Sequence, residues 1–323
     1  MPTTFTHRIR LVRFAVLGAA IVLLGAWNGS VRAADMTCDR ACLQGTMDKY
    51  LEAMVAHDPT KAPFADNVKF TENGQELTLQ DALWATASDN STYRLYVLDP
   101  ESGGAGFLGL MKENGSPVII AVRLKVVDQK IAEAEQVVSR PAAGGFADVN
   151  AFDKPFPILM EKLKPEEKVS REDLIKAADA YFTGLDTENS GTNVPFDPAC
   201  QRRENGVVTA NSKDPKASAM AKLGCKGQFD TGFSVIVTDI RDRRYPVVDE
   251  ETGLVFSLVF FDHSGQVKEM KTADGSTAPV GSPFNRPMTL EIAEIFKVKS
   301  GKIRQIEAVI NQVPYRMRPG WSE

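Results

Sequence analysis

Apolar residues recur at helical spacing twice along the chain, through Leu43, Met47, Tyr50, Leu51 and Met54 and again through Leu174, Ala177, Ala178, Tyr181 and Phe182. Each set falls on one stripe of a 3.6-residue period and predicts an amphipathic helix. Ser170 with Asp173 marks the start of the second, although a full capping box would place Glu or Gln there. A short helix containing Trp84 is expected around Leu79 to Ala87. After these segments the pattern changes to short apolar or alternating runs separated by Gly and Asn-Gly turns, three or four strands in each half. One or two helices followed by a curved antiparallel sheet make an α+β roll.

The two halves are copies. Tyr50-Leu-Glu-Ala-Met matches Tyr181-Phe-Thr-Gly-Leu at an offset of 131. PFADNVKFTENG from Pro63 matches PFDPACQRRENG from Pro195 at 132, and Asp99 to Gly103 matches Asp249 to Gly253 at 150. Leu124-Lys-Val through Lys130-Ile131 matches Phe296-Lys-Val through Lys302-Ile303 at 172. The matches are colinear, so one fold is used twice. The offset grows in steps of 18 and 22, which places two additions in the second copy, Asn211 to Gln228 and Gln266 to Pro287. Long loops of this kind are uncommon unless they serve a function or are disordered. Pro141 to Lys168, rich in Pro, Gly, Phe and charge, reads as a partly packed linker.

The order helix, Pro-Phe, Glu-Asn-Gly, Leu-Trp, Tyr-x-x-Tyr-Val-x-Asp-Pro, Arg-Leu-Lys-Val, Lys-Ile-x-Glu resembles the nuclear-transport-factor-2-like superfamily, which includes SnoaL-like cyclases and ketosteroid isomerases. Arg203-Glu-Asn-Gly, Arg243-Arg-Tyr-Pro-Val-Val-Asp249 and Phe296-Lys-Val with Gly301-Lys-Ile look like a secreted tandem subfamily without a general assigned activity. The resemblance implies two cone-shaped rolls, each a bent sheet and helices around a pocket, packed on each other as an intrachain pseudo-dimer. It also implies an Asp or Glu base on the pocket face of the sheet, often with Arg or His, although no catalytic motif of those enzymes aligns.

The N-terminus reads separately. Arg8, Arg10 and Arg13 precede the apolar run Phe14 to Trp27, and Val31-Arg32-Ala33 supplies small residues at a cleavage point, the order of a secretory signal. The run is shorter than the roughly 20 residues that span a bilayer; an uncleaved anchor is the other reading. The expected organisation is a leader over residues 1–33, a first domain over 34–140, the linker over 141–168 and a second domain over 169–323, in a secreted or periplasmic protein. Residues 1–33 hold four of the 38 Lys and Arg and no acid, so the remainder carries 34 basic against 42 acidic side chains, a net charge of −8. Such a chain is a poor ligand for nucleic acid or for an anionic membrane. Cys38, Cys42, Cys200 and Cys225 form an even set, as disulfides in an exported protein do. Pairing Cys200 with Cys225 and Cys38 with Cys42 is simplest, the second feasible only if a helix starts between the two; pairing across the domains is the alternative.

The chain has no Gly-x-Ser-x-Gly, P-loop, Gly-x-Gly-x-x-Gly or His-Glu-x-x-His motif. With only His57 and His263 after the leader, no multi-histidine metal site and no cofactor are expected. Chemistry then rests on carboxylates, arginines and tyrosines, groups suited to proton abstraction, elimination or isomerisation of a small molecule. Glu72 and Glu204 end the first strand of each copy, as pocket carboxylates or simply as neighbours of the Asn-Gly turns that follow them. Glu113-Asn-Gly is an ordinary hairpin tip by the same pattern. Glu294 shares a strand face with Phe296 and Val298 where copy one has Val122, Leu124 and Val126, so it is either a base with a raised pKa or half of a structural ion pair. Arg94 corresponds to Arg244 when the Asp99/Asp249 match is extended backwards, and Arg203, Arg243 and Arg244 are candidate anion holders or solvated surface. Tyr50, Tyr181 and Trp84 are core residues whose polar tips reach a pocket or do not. His57 follows a helix end; His263 sits beside the 22-residue insertion and is the stronger functional candidate. A second-copy site built from Glu294, Glu204, Arg203, Arg244 and His263, with Tyr181, Arg243, Glu72, Trp84 and Arg94 as binding candidates, is the expectation. A non-catalytic ligand-binding or assembly protein using the same cavity is the alternative.

Overall fold

The Asp39 carboxylate accepts the Cys42 amide at 2.8 Å and starts α1 (Arg40–Val55) in the computed structural model, which describes residues 1–3, 38–141 and 146–321. Of the expected leader, residues 4–33 lie outside the described residues, as do 142–145 of the linker. Helix α1 is followed by β1 (Phe64–Glu72), β2 (Gln75–Glu76), α2 (Leu83–Thr86), β3 (Ala87–Asp99), β4 (Gly104–Glu113), β5 (Ser116–Val127) and β6 (Lys130–Ser139). The linker holds α3 (Pro157–Met160). The second repeat runs α4 (Arg171–Thr183), β7 (Phe196–Glu204), β8 (Val207–Ala210), α5 (Ala219–Lys222), α6 (Cys225–Asp230), β9 (Asp239–Asp249), β10 (Leu254–His263), β11 (Glu269–Lys271), β12 (Thr277–Pro279), β13 (Met288–Lys299) and β14 (Lys302–Val313). Ser170 caps α4 by accepting the Asp173 amide at 3.1 Å, so Asp serves at the position where Glu or Gln was expected.

The two main sheets have one topology, β2-β1-β6-β5-β4-β3 and β8-β7-β14-β13-β10-β9, with the first strand of each repeat parallel to its last. The fold is therefore α+β, two repeated domains of a curved six-stranded sheet and a long helix. Strand alternation splits the core into three parts. The inner face of the first sheet packs on α1 through Leu43, Met47, Tyr50, Phe107 and Val122. The inner face of the second packs on α4 through Leu174, Tyr181, Phe182, Val259 and Phe296. The outer faces pack on each other through Leu108, Ile119, Ala121, Phe256, Ala293 and Ile295. Gly106 makes room there: a Cβ on it would stand 2.8 Å from the Phe256 ring.

The repeats also exchange charges reciprocally. Arg40 of α1 grips Asp249 of the second repeat at 2.7 and 2.9 Å, and Arg171 of α4 grips Asp99 of the first at 2.5 Å. Each arginine also donates to the carbonyl that precedes the other pair's aspartate, Arg40 to Leu98 and Arg171 to Val248. Glu135 and Glu307, equivalent in the duplication, are buried between the sheets. Arg244 chelates Glu135 at 2.6 and 3.0 Å, and Arg203 with Tyr93 holds Glu307.

Three further expectations resolve here. The Asn and Gly of all three Glu-Asn-Gly sequences lie in the left-handed region, φ 49° and 74° at residues 73–74, 47° and 83° at 114–115, 46° and 86° at 205–206, so the motif is a hairpin turn. Asn73 and Asn205 add a clamp, each exchanging two hydrogen bonds with the backbone of the neighbouring parallel strand, at Val138 and Ile310. Arg94 corresponds to Arg243, not to Arg244. Arg94 and Tyr96 bind Asp48 of α1, and Arg243 and Tyr245 bind Asp179 of α4 in the same way. A bulge in β9, between its pairings with Phe256 and Leu258, shifts the repeat by one residue. The cysteines form Cys38–Cys42, with α1 starting between them, and Cys200–Cys225.

Candidate functional site

One row of side chains across the inner face distinguishes the repeats. In the first it runs Glu72, Gln136, Val122, Phe107; in the second the equivalent row runs Glu204, Ala308, Glu294, Ser257. Gln136 becomes Ala308 and Phe107 becomes Ser257, so the middle and one end of the row lose bulk, while Val122 becomes a carboxylate. One row deeper, Phe70 of the first repeat is replaced by Arg202. The first cone is filled by Phe70, Phe107, Leu83 and Trp84, whose indole donates to the Tyr50 hydroxyl at 3.2 Å. Its Glu72 is spent on structure, accepting from the Leu83 amide, Gln136 and Arg140.

The second cone holds a cavity of about 660 Å³, within the usual range for small-molecule sites. Its walls are mainly hydrocarbon, including Leu185, Phe261, Leu290, Ile292 and Ile310. Tyr181, Arg202 and Glu204 line one end, and His263 lines it beside Pro283 and Phe284 of the 22-residue insertion. The shorter insertion supports the floor. Gln228 of α6 accepts from Arg202 Nη2 at 2.7 Å, and the Cys200–Cys225 bridge ties α6 to the strand that carries Arg202. Arg202 also donates to the Tyr181 hydroxyl at 3.0 Å and to Thr209 at 3.1 Å, and its Nε lies 3.4 Å from a Glu204 oxygen.

Glu294 lies beneath this group, 1% exposed, with one carboxyl oxygen unpartnered among the described residues. Burial pushes its pKa up and the Glu204 charge adds to the push; Arg202 and Tyr181 oppose them, leaving it at about 8. Glu294 is therefore mainly protonated at neutral pH. His263 is 2% exposed, and burial lowers its pKa. Its Nδ1 lies 2.8 Å from the Ile236 carbonyl, so in the neutral ring Nδ1 carries the proton and Nε2 is an acceptor, one with no partner among the described residues.

Of the expected site, the structure brings Glu294, Glu204, His263 and Tyr181 to one cone. It takes Arg203 and Arg244 elsewhere, into the ion pairs between the sheets, because both point to the outer face of their strands. Arg243 fastens α4 through Asp179, Thr183 and Asp186, and Arg94 fastens α1. Glu72 and Trp84 are core residues of the first repeat. Arg202 is the residue that sequence reading missed. The signal was parity: Cys200, bridged into the inner core, shares a strand face with Arg202 and Glu204, whereas Arg203 does not. Among the described residues, no group of three or more His, Cys, Asp or Glu is placed to hold a metal ion.

Comparison with known proteins places both repeats in one family. The model of a domain of unknown function, DUF8021, matches residues 37–138 and again 167–310. No curated protein matches. Among solved structures, a protein of unknown function with a cystatin-like fold from Methylobium petroleophilum PM1 is similar at 14% identity, covering 35% of this chain and 85% of its own, with a TM-score of 0.28.

Proposed function

The chain belongs to the DUF8021 family of domains of unknown function, and from that premise we propose that it is a cofactor-independent acid–base lyase or isomerase acting on a small, largely apolar compound, aromatic or terpenoid-like, in the cell envelope. In this reading both repeats are nuclear-transport-factor-2-like rolls packed as an intrachain pseudo-dimer, with the first supporting the second. A leader over residues 1–33 delivers the domains at 34–140 and 169–323 to a compartment that maintains disulfides, and the two bridges support that placement.

The observation that carries the reading is the Glu204–Ala308–Glu294 row, set beside Tyr181 and Arg202 at one end of an apolar cavity. Two carboxyls in unlike surroundings can hold different protonation states at one pH. Glu204 lines the cavity and takes a proton from a carbon next to a carbonyl. Negative charge developing on the carbonyl oxygen meets the Tyr181 hydroxyl, which accepts from Arg202 and turns its own proton from the Glu294 carboxyl to the substrate oxygen. Glu294 stays protonated beneath them and adds no second negative charge. Return of the proton at a conjugated carbon completes an isomerisation; expulsion of a β-substituent completes an elimination.

One observation favours the non-catalytic alternative, a ligand-binding protein: Glu204 and Tyr181 already have a partner in Arg202. Proton exchange separates the two. The protein is incubated with undecan-2-one in D2O, and deuterium at C1 and C3 is followed by NMR. Catalysis gives exchange well above the buffer rate, falling about a hundredfold or more in Glu204→Gln while the ketone still binds. Binding without exchange supports the alternative and rejects the enzyme.

A further inference from the structure

The cavity has its polar groups at two ends of one strand face. On β10, His263 stands six residues beyond Ser257, and Ser257 ends the row that begins at Glu204, the member of that row lining the cavity. That is about 20 Å of strand at about 3.3 Å per residue. The lining between them is hydrocarbon, with Ile292 and Ile310 in one row and Phe261 and Leu290 in the next. A volume of about 660 Å³ drawn out along such a length suits a narrow molecule, not a compact one.

The His263 end is chemically defined. Ser282 and Gln312, the other polar lining groups on that side, are exposed to solvent. His263 is buried, its Nδ1 proton is used on Ile236, and the Phe284 ring packs 4.8 Å from the imidazole. Its Nε2 is a buried acceptor with no donor among the described residues, so a ligand O–H or N–H can be received there, whereas a hydrocarbon tail leaves it unpaired.

Resting on the cavity reading above, we propose that the ligand is an elongate, mainly hydrocarbon molecule with a polar group at each end: a carbonyl oxygen received by Tyr181 at the floor, and a hydroxyl or amide N–H donated to Nε2 of His263. The floor performs the chemistry and His263 selects the length and far-end function of the molecule. Fully hydrocarbon tails of the same length are accepted less well, because they leave Nε2 unsatisfied.

Two probes with equal numbers of non-hydrogen atoms test this, 10-hydroxydecan-2-one and undecan-2-one, titrated calorimetrically into the full disulfide-bonded protein. The wild type is expected to bind the hydroxy-ketone about tenfold more tightly, the effect of one satisfied buried hydrogen bond. In His263→Leu that preference collapses to within about twofold of parity. Should His263→Leu fail to fold, judged by its thermal transition, His263→Gln retains a hydrogen-bonding side chain and is expected to keep part of the preference. Equal binding of the two probes by the wild type, or a preference that survives in His263→Leu, overturns the two-ended ligand alone. Failure of the wild type to bind either ketone overturns the cavity reading with it.

Discussion

Glu294 stands in the second repeat where Val122 stands in the first, on the same face of the same strand, and it is 1% exposed. A carboxyl placed on a hydrocarbon wall leaves a signature in the pH dependence of stability. Below about pH 4.5 the folded and unfolded chains both hold the proton. Between that and about 8 the folded chain retains a proton that the unfolded chain has released, so stability falls as pH rises. Above 8 the loss is complete, at most about 5 kcal/mol at about 1.4 kcal/mol per pH unit. Glu294→Gln removes this slope. Chemical denaturation at pH 5 and pH 9 is expected to show the wild type losing several kcal/mol more than the variant. Glu291, buried between the sheets and also pushed to about 8, contributes its own slope to both proteins and cancels in the comparison.

The reciprocal pairs Arg40–Asp249 and Arg171–Asp99 join the repeats. Both aspartates are almost fully buried, whereas the arginines keep about a third of their side chains in water. Removal of one arginine leaves a buried carboxylate short of its counter-charge, at a cost of about 2–4 kcal/mol. Arg40→Ala and Arg171→Ala are each expected to lower stability by that amount in denaturant titrations. A change below about 0.5 kcal/mol in both would show that these pairs do not hold the repeats together.

Asn205 and Asn114 occupy the same position in the same turn sequence with different surroundings. Asn205 is buried and bonds Ile310 in both directions, at 2.8 and 2.9 Å; Asn114 is at an exposed hairpin tip. Glycine satisfies the positive φ at either site. Asn205→Gly is expected to cost about 2 kcal/mol through lost hydrogen bonds, and Asn114→Gly less than about 0.5. Equal costs would make the motif a turn and nothing more.

The Cys200–Cys225 bridge closes a loop with a sequence separation of 25 and holds Gln228 against Arg202; Cys38–Cys42 closes one of 4. Chain entropy assigns the longer bridge about 3 kcal/mol and the shorter about 2. Replacement of both cysteines of the longer bridge by alanine is expected to lower the melting temperature more than the same change at Cys38 and Cys42. It should also weaken undecan-2-one binding, which the shorter bridge should not affect.

Duplication made much of this legible beforehand. Comparing the copies located both insertions, exposed Glu294 as a carboxylate on an apolar face, and showed Glu-Asn-Gly to be a structural landmark. The failures were matters of register. Adjacent arginines at 202 and 203 differ only in the face they take, and the choice between them needed the parity set by Cys200. Pairing Arg94 with Arg243 depended on a bulge in β9 that sequence alone does not mark. The opening of the second cone depended on knowing that residues 204, 308, 294 and 257 form one row, a fact of strand pairing across three ladders.

That row separates an open second cone from a filled first one. Restoring the first repeat's row, with Ala308→Gln, Glu294→Val and Ser257→Phe together, returns to the second cone the bulk of Gln136 and Phe107 and the hydrocarbon of Val122. Calorimetric titration of this triple variant with undecan-2-one is the direct measurement, alongside its unfolding transition. The expected product is a folded protein, at least as stable as the wild type at pH 9, that has lost ketone binding by a hundredfold or more. A folded triple variant that binds the ketone as the wild type does would contradict that role for the row.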